Sequence, residues 1–309
     1  MKTNHLLAAA VLLAVSPLTA HAQTATPVPS SPALASAAQP VTLRLKFTPG
    51  QTLYYSMVTD TSGTVLTGQS GAGMPIQVHM QMLMHQTVKS VRASDGAATL
   101  DVGIDTISMG MNGQTMPMPP ERLAPMKTIG TMVILPTGKT VSFTPSAGLS
   151  TAGPMPGMDL THMNAMGSLG QFPDAPVKAG DTWKSAVAMG MMGTNVAAGF
   201  TLLSLDTVEG KTIAIIKQRT NGTFDTTAPA AGTATPMPAG MAMNGNVDGT
   251  GTLRFDVDAG AIIGQTSRAN VTMVMTPPGA TAPMNMQMKV SSTLKRASAP
   301  AAAANPAVQ

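Results

Sequence analysis

Methionine is the side chain with the most chemistry to offer in this sequence. There are 27, against one Trp, two Tyr and six Phe. A thioether is a soft ligand that holds Cu(I) or Ag(I) without losing a proton. It is also a flexible apolar group that fills irregular space. The densest constellation is Met155, Met158, His162, Met163 and Met166. Gly157 and Gly167 bracket a segment whose helix would put Met158, His162 and Met166 on one face, at i, i+4 and i+8. The segment reads first as an apolar lid and, in the alternative, as a copper or silver site. Met109, Met111, Met116 and Met118, and Met237, Met241 and Met243, fall in loop-like stretches that could add weak metal sites. A third use is as an oxidant sink, because exposed Met is readily converted to the sulfoxide.

Acid–base and nucleophilic chemistry runs short. Once the leader described below is set aside, His79, His85 and His162 are the only histidines, and no Gly-x-Ser-x-Gly, His-Glu-x-x-His or Gly-x-x-x-x-Gly-Lys motif occurs. His79 and His85 lie roughly 20 Å apart on a strand, too far to share a metal or relay a proton, and read as solvated. Asp101 and Asp105, about 13 Å apart on a regular strand, exceed the carboxylate spacing of glycoside hydrolysis and read as solvent-face charges. Asn244 to Gly249 opens like a calcium loop, but its first residue is Asn and its twelfth position is Phe255. The expectation is a protein that is not an enzyme and has no resident cofactor, copper being the alternative.

The elements that position the methionines are strands. From Ile76 to Val88, Ile76, Val78, Met80, Met82, Met84 and Val88 alternate with polar residues, only Gln86 and Leu83 breaking the pattern. Near the end, Met284, Met286, Met288, Val290 and Leu294 alternate with Asn285, Gln287, Lys289, Ser291 and Thr293. Period two means one face against apolar material and the other in water. These methionines stand where Leu, Ile or Val sit in an ordinary core. Met80, Met82, Met84, Met273, Met275, Met284, Met286 and Met288 are therefore the candidate lining of a core or ligand cavity.

Lys2, the apolar run from Leu6 to Val15, Pro17 and Ala20-His21-Ala22 have the form of a secretory signal peptide cut before Gln23. The absence of Cys leaves no acylation site, disulfide or thiolate metal site. A periplasmic or secreted, soluble chain is expected, with no transmembrane segment. Without Lys2, 17 basic residues face 14 acidic ones, and this scattered excess excludes nucleic acid as the expected partner.

The expected division is a signal peptide over 1–22, a disordered Ala/Pro/Ser-rich linker over 23–40 and a β repeat over 41–143. A loop and short-helix linker over 144–176, a second β repeat over 177–296 and a disordered tail over 297–309 follow. Val41 to Phe47 alternates as a first strand, Ser94-Asp95-Gly96 turns a hairpin, a face shift falls near Thr106 to Ser108, and a helical turn sits at Glu121 to Leu123. Ala179-Gly180-Asp181-Thr182-Trp183 echoes Pro49-Gly50-Gln51-Thr52-Leu53, and Gly251-Thr252-Leu253 with Gly260 echoes Gly130-Thr131-Met132 with Gly138. These echoes point to two duplicated six-stranded units.

At those Gly-x-Thr turns and the Gly-Thr-Leu-x-Phe-Asp…Gly hairpin, the chain resembles uncharacterised exported bacterial β-rich proteins of a domain of unknown function. Its strand layout looks like the lipoprotein-carrier half-barrels, though many such relatives carry a lipidated cysteine that this sequence lacks. The resemblance implies a curved antiparallel sheet around an apolar cavity closed by short helices, and a hydrophobic ligand. The fold class expected is mainly β: a large curved antiparallel sheet, half-barrel or barrel-like, with short helical lids and disordered tails. The function expected is binding of an apolar, lipid-like ligand or a partner's apolar segment. Alternatives are Cu(I)/Ag(I) binding and a purely structural envelope role.

Overall fold

The computed structural model of the chain describes residues 39–67, 73–147, 171–189, 194–225, 242–276 and 283–300. The proposed leader and the Met155, Met158, His162, Met163 and Met166 constellation lie outside the described residues, as do Met237 and Met241.

Among the described residues, twelve strands form one antiparallel sheet. They are β1 (Thr52–Thr67), β2 (Gly73–Val91), β3 (Ala98–Met111), β4 (Gln114–Pro117), β5 (Gly130–Ile134) and β6 (Thr140–Pro145). Then come β7 (Thr182–Met189), β8 (Thr194–Val208), β9 (Lys211–Asp225), β10 (Ala242–Asp256), β11 (Ala261–Thr276) and β12 (Met284–Ala297). The order across the sheet is β6-β5-β3-β2-β1-β12-β11-β10-β9-β8-β7, with β4 pairing Ser108 to Met111 of β3, beyond the stretch that β5 pairs. The first strand thus pairs with the last, and the sheet is open between β6 and β7.

The two ends of this path approach each other at the end of the sheet where β1 begins. The Phe172 amide, ahead of β7, donates to Thr137 O in the β5–β6 turn at 2.7 Å. Residues 41–47 cross the same end. Val41 makes a bridge with Val177, the Leu45 amide donates to Pro136 O at 2.8 Å, and the Lys46 amide donates to Gly260 O, between β10 and β11, at 2.9 Å. The expected strand at Val41 to Phe47 is therefore an extended plug and not a rung of the sheet. Its alternation is real, because Leu43 is fully buried. Arg44 ties it down, donating to Pro173 O at 2.6 Å and Asp174 O at 2.7 Å.

The turns into β1 and β7 make the same bonds. Gly50 N donates to Val88 O at 2.8 Å while Val88 N donates to Gln51 O at 2.9 Å; Gly180 N donates to Leu202 O at 2.7 Å while Leu202 N donates to Asp181 O at 3.0 Å. Both glycines have φ in the left-handed region, +82° and +94°, where a side chain would be strained.

The register of β2 on β3 slips between Leu83 and Met84, which leaves Asp105 unpaired. The buried positions of β3 change from Leu100 and Ile104 to Ile107, the face shift expected near Thr106. Helix α1 (Pro120–Leu123) occurs at the expected turn and runs into a 3-10 turn at Ala124–Thr128. This pair sits beside β3 between β4 and β5, where the Ile129 amide donates to Val102 O at 2.8 Å and Met126 is fully buried.

The inner face carries three apolar clusters. The largest lies at the plugged end and contains Leu43, Met126, Phe172, Phe200 and Phe255, with the Phe172 and Phe255 rings 4.6 Å apart. A second fills the opposite end, around Val65, Val78, Val271 and the buried Met273, Met275, Met286 and Met288. A third, smaller one lies under β2, β3 and β5 at Val88, Leu100 and Met132.

Candidate ligand-binding interior

Alternation places all eight predicted lining methionines on the inner face, but in two groups. Met80 and Met82, 2% and 4% exposed, belong to the cluster at the plugged end, and half-buried Met84 packs against it. Met273, Met275, Met286 and Met288 are buried in the opposite cluster, joined by half-buried Met284. The register explains the second grouping: Met273 pairs with Met286, Met275 with Met284, and Val271 with Met288. Directly opposed side chains on one face lie within contact distance, so β11 and β12 carry a patch of thioethers.

The two ends differ in kind. The plugged end is built from rings: Phe172, Phe200 and Phe255, with Tyr55 and a partly buried Trp183 stacked on Phe200 at 5.6 Å. Trp183 is fixed by donating Nε1–H to Gln171 O at 2.8 Å. At the methionine end the only ring among the described residues is Phe224. It lies over Gly245, where a Cβ would collide with it and with the Thr272 carbonyl. Rigid rings give that end one packing; thioethers with three rotatable bonds give this end many.

Between the clusters the inner face turns polar. One register row reads Thr59, Ser292, Ser267, Gly251, Gln218, and the next reads Thr61, Val290, Ala269, Gly249, Thr220. Thr59 Oγ1 donates to Ser292 Oγ at 3.2 Å, Gln265 Nε2 to Gln218 Oε1 at 3.3 Å, and Gln218 Nε2 to Thr220 Oγ1 at 3.4 Å. Thr61 Oγ1 and Gln265 Oε1 are buried without a partner. The methionine pattern does not announce these groups, although the odd positions of β1 run Leu53, Tyr55, Met57, Thr59, Thr61 and show the interruption.

Several outward residues differ from expectation. His79 is solvated as expected, with its Nδ1 2.7 Å from Asp60 Oδ1. His85 is not solvated: its side chain is 18% exposed, and its Nδ1 lies 2.8 Å from Asp105 Oδ2, itself 13% exposed. Asp105 is correspondingly not a free solvent-face charge, since the 3-10 turn brings Lys127 Nζ to 3.6 Å from its Oδ1. Asp101 bonds Lys89 Nζ at 3.0 Å and accepts from Thr131 Oγ1 at 3.0 Å. An open groove of about 230 Å³ lies at the β2–β3 bulge, flanked by Ser56, Gln81, Leu83, Thr106 and Ser108. Met109 and Met111 lie in β3 and pack on the methionine-end cluster, and Met118 packs on the other, so these three are not exposed loop ligands.

Tyr55 and the Arg92–Asp95 pair titrate away from their ordinary values. Burial raises the Tyr55 phenol above 10.0, partly opposed by the Arg296 charge. Asp95 is lowered to about 2 by the hydrogen bond from Arg92 and by the backbone bond from Ala97. That pair pins the β2–β3 turn.

Among the described residues no group of three His, Cys, Asp or Glu could hold a metal, and no helix is long and apolar enough to cross a membrane. No family model matches the chain. No curated protein matches it either. Among solved structures, the chain is similar to a lipovitellin structure on lipid–protein interactions, with a TM-score of 0.46 and 11% identity over 84% of this chain. It spans only 26% of the lipovitellin chain. A DUF1329 family protein from Desulfovibrio piger is matched over 80% of this chain and 86% of its own, at 9% identity and a TM-score of 0.16. A LolA superfamily protein from Nitrosomonas europaea is matched over 83% and 90%, at 7% identity and a TM-score of 0.15. These are likenesses of β-rich architecture, and the reading of the interior rests on this chain's own side chains.

Proposed function

We propose that this chain is an exported, non-enzymatic protein that takes an apolar, lipid-like molecule, or a partner's apolar segment, against its methionine-lined inner face. The observation that carries the reading is the asymmetry of the interior. One end is locked by rings and a plug, while the other is lined by Met273, Met275, Met284, Met286 and Met288 beside Phe224. Thioethers repack around a guest at little cost, which suits a site that must be filled when empty and remodelled when loaded. A guest burying about 300 Å² of apolar surface would gain roughly 7 kcal/mol before ordering costs. Export is proposed from Lys2, the apolar run from Leu6 to Val15 and Ala20-His21-Ala22. The matching turns at Gly50 and Gly180 support two related units, proposed as 41–143 and 177–296.

Native mass spectrometry of the full chain, purified from its envelope fraction and examined with and without Cu(I), tests the reading. A co-purified apolar mass that remains in the Met158→Leu/His162→Ala/Met166→Leu variant is the expected result. Stoichiometric Cu(I) that this variant loses, with no apolar mass, would replace it with the metal reading.

A further inference from the structure

The polar waist across the interior carries an inference that rests on the reading above and sharpens it. Thr61 is 3% exposed, points inward with the other odd residues of β1, and has a hydroxyl with no partner. From β2 to β8 its register row reads Val78, Thr61, Val290, Ala269, Gly249, Thr220 and Ala198, with nothing larger than valine. The adjacent row toward the plug, Thr59, Ser292, Ser267 and Gly251, is also small, with Met57, Leu294 and Leu253 beyond it; on the other side Met288, Val271 and Val247 follow. Small side chains thus surround a hydroxyl with one unmet polar contact. A buried hydroxyl without a partner is tolerated where something else completes it.

We propose that this waist receives the hydroxyl head of a single-chain amphiphile, its tail lying among Met273, Met275, Met286 and Met288. A hydroxyl both donates and accepts, so it completes Thr61 in either sense. A carboxylate head fits poorly. The inward groups of the waist, Thr59, Thr61, Ser267, Ser292, Gln218 and Gln265, are all neutral, and a buried anion needs a compensating charge. The lone buried Oε1 of Gln265, an acceptor only, likewise favours a guest or water that donates.

The test uses the full chain loaded with an environment-sensitive apolar fluorophore, displaced at neutral pH by decanol, decane and decanoate. Thr61→Val keeps the shape and removes the hydroxyl; Thr61→Ser keeps the hydroxyl. The expected result is that Thr61→Val weakens decanol roughly 10-fold relative to decane, as for one lost hydrogen bond, while Thr61→Ser retains the wild-type ratio and decanoate displaces least. An unchanged decanol-to-decane ratio in Thr61→Val, or decanoate displacing best, overturns the head-group assignment while leaving the apolar interior intact. If neither decanol nor decane displaces the fluorophore, the interior reading itself fails.

Discussion

Met273 and Met286 face one another across β11 and β12, 2% and 7% exposed, at the centre of the thioether patch. A carboxylate at either position would be buried among apolar side chains. Met273→Asp is expected to cost several kcal/mol and abolish cooperative unfolding in urea. Met286→Leu, nearly equal in volume, is expected to cost less than about 1.5 kcal/mol. A folded Met273→Asp with an unchanged urea midpoint would show that the patch is wet.

Gly245 holds Phe224 against the sheet. Gly245→Ala drives its new methyl into the Phe224 ring and the Thr272 carbonyl, and backbone on one side cannot give way. An expected loss of about 1–3 kcal/mol is measurable by chemical denaturation. Adding Phe224→Leu to make room should recover part of it, which is the coupling expected of touching residues.

The plug is the third point. Leu43 is fully buried among Phe172, Phe255 and their neighbours, so Leu43→Ala is expected to cost about 2–5 kcal/mol. Hydrogen exchange should then speed at the Leu45 and Lys46 amides, which bond Pro136 O and Gly260 O. Uniform protection in the variant would mean that the segment does not close that end.

Alkaline titration gives the fourth. Because the Tyr55 pKa is raised in the fold, its contribution to stability is fully present below the ordinary value of 10.0 and is lost as pH climbs through the raised value. In a Tyr54→Phe background, tyrosinate absorbance should rise only as the circular dichroism of the sheet collapses. Tyr55→Phe should move that collapse to higher pH. Tyrosinate forming in the intact sheet would contradict the buried placement.

The alternation of Met80, Met82, Met84 and of Met284, Met286, Met288 made the sheet and its inner face legible, because period two is fixed by the pleat itself. It could not say which strands pair. The plug alternates as cleanly as β1 yet joins no ladder, since alternation reports an extended backbone with one covered face and nothing about its neighbour. Likewise, the eight methionines read as one lining, whereas the register spreads them over two clusters with Thr59 and Thr61 between. His85 read as solvated because its strand face is polar. Its cover comes from Lys127 and Asp105, brought together by a bulge and a 3-10 turn that leave little trace in local sequence. The Met155 to Met166 segment lies outside the described residues, so its helix stays an expectation.

The central claim, that an apolar guest is held by the thioethers of β11 and β12, is tested most directly by methyl NMR of the methionine-labelled full chain titrated with decane. The expected result is saturable shifts at Met273, Met275, Met284, Met286 and Met288, weaker ones at Met80 and Met82, and none at methionines outside the interior. Unmoved signals from those five residues under saturating decane, or equal shifts at every methionine, would contradict it.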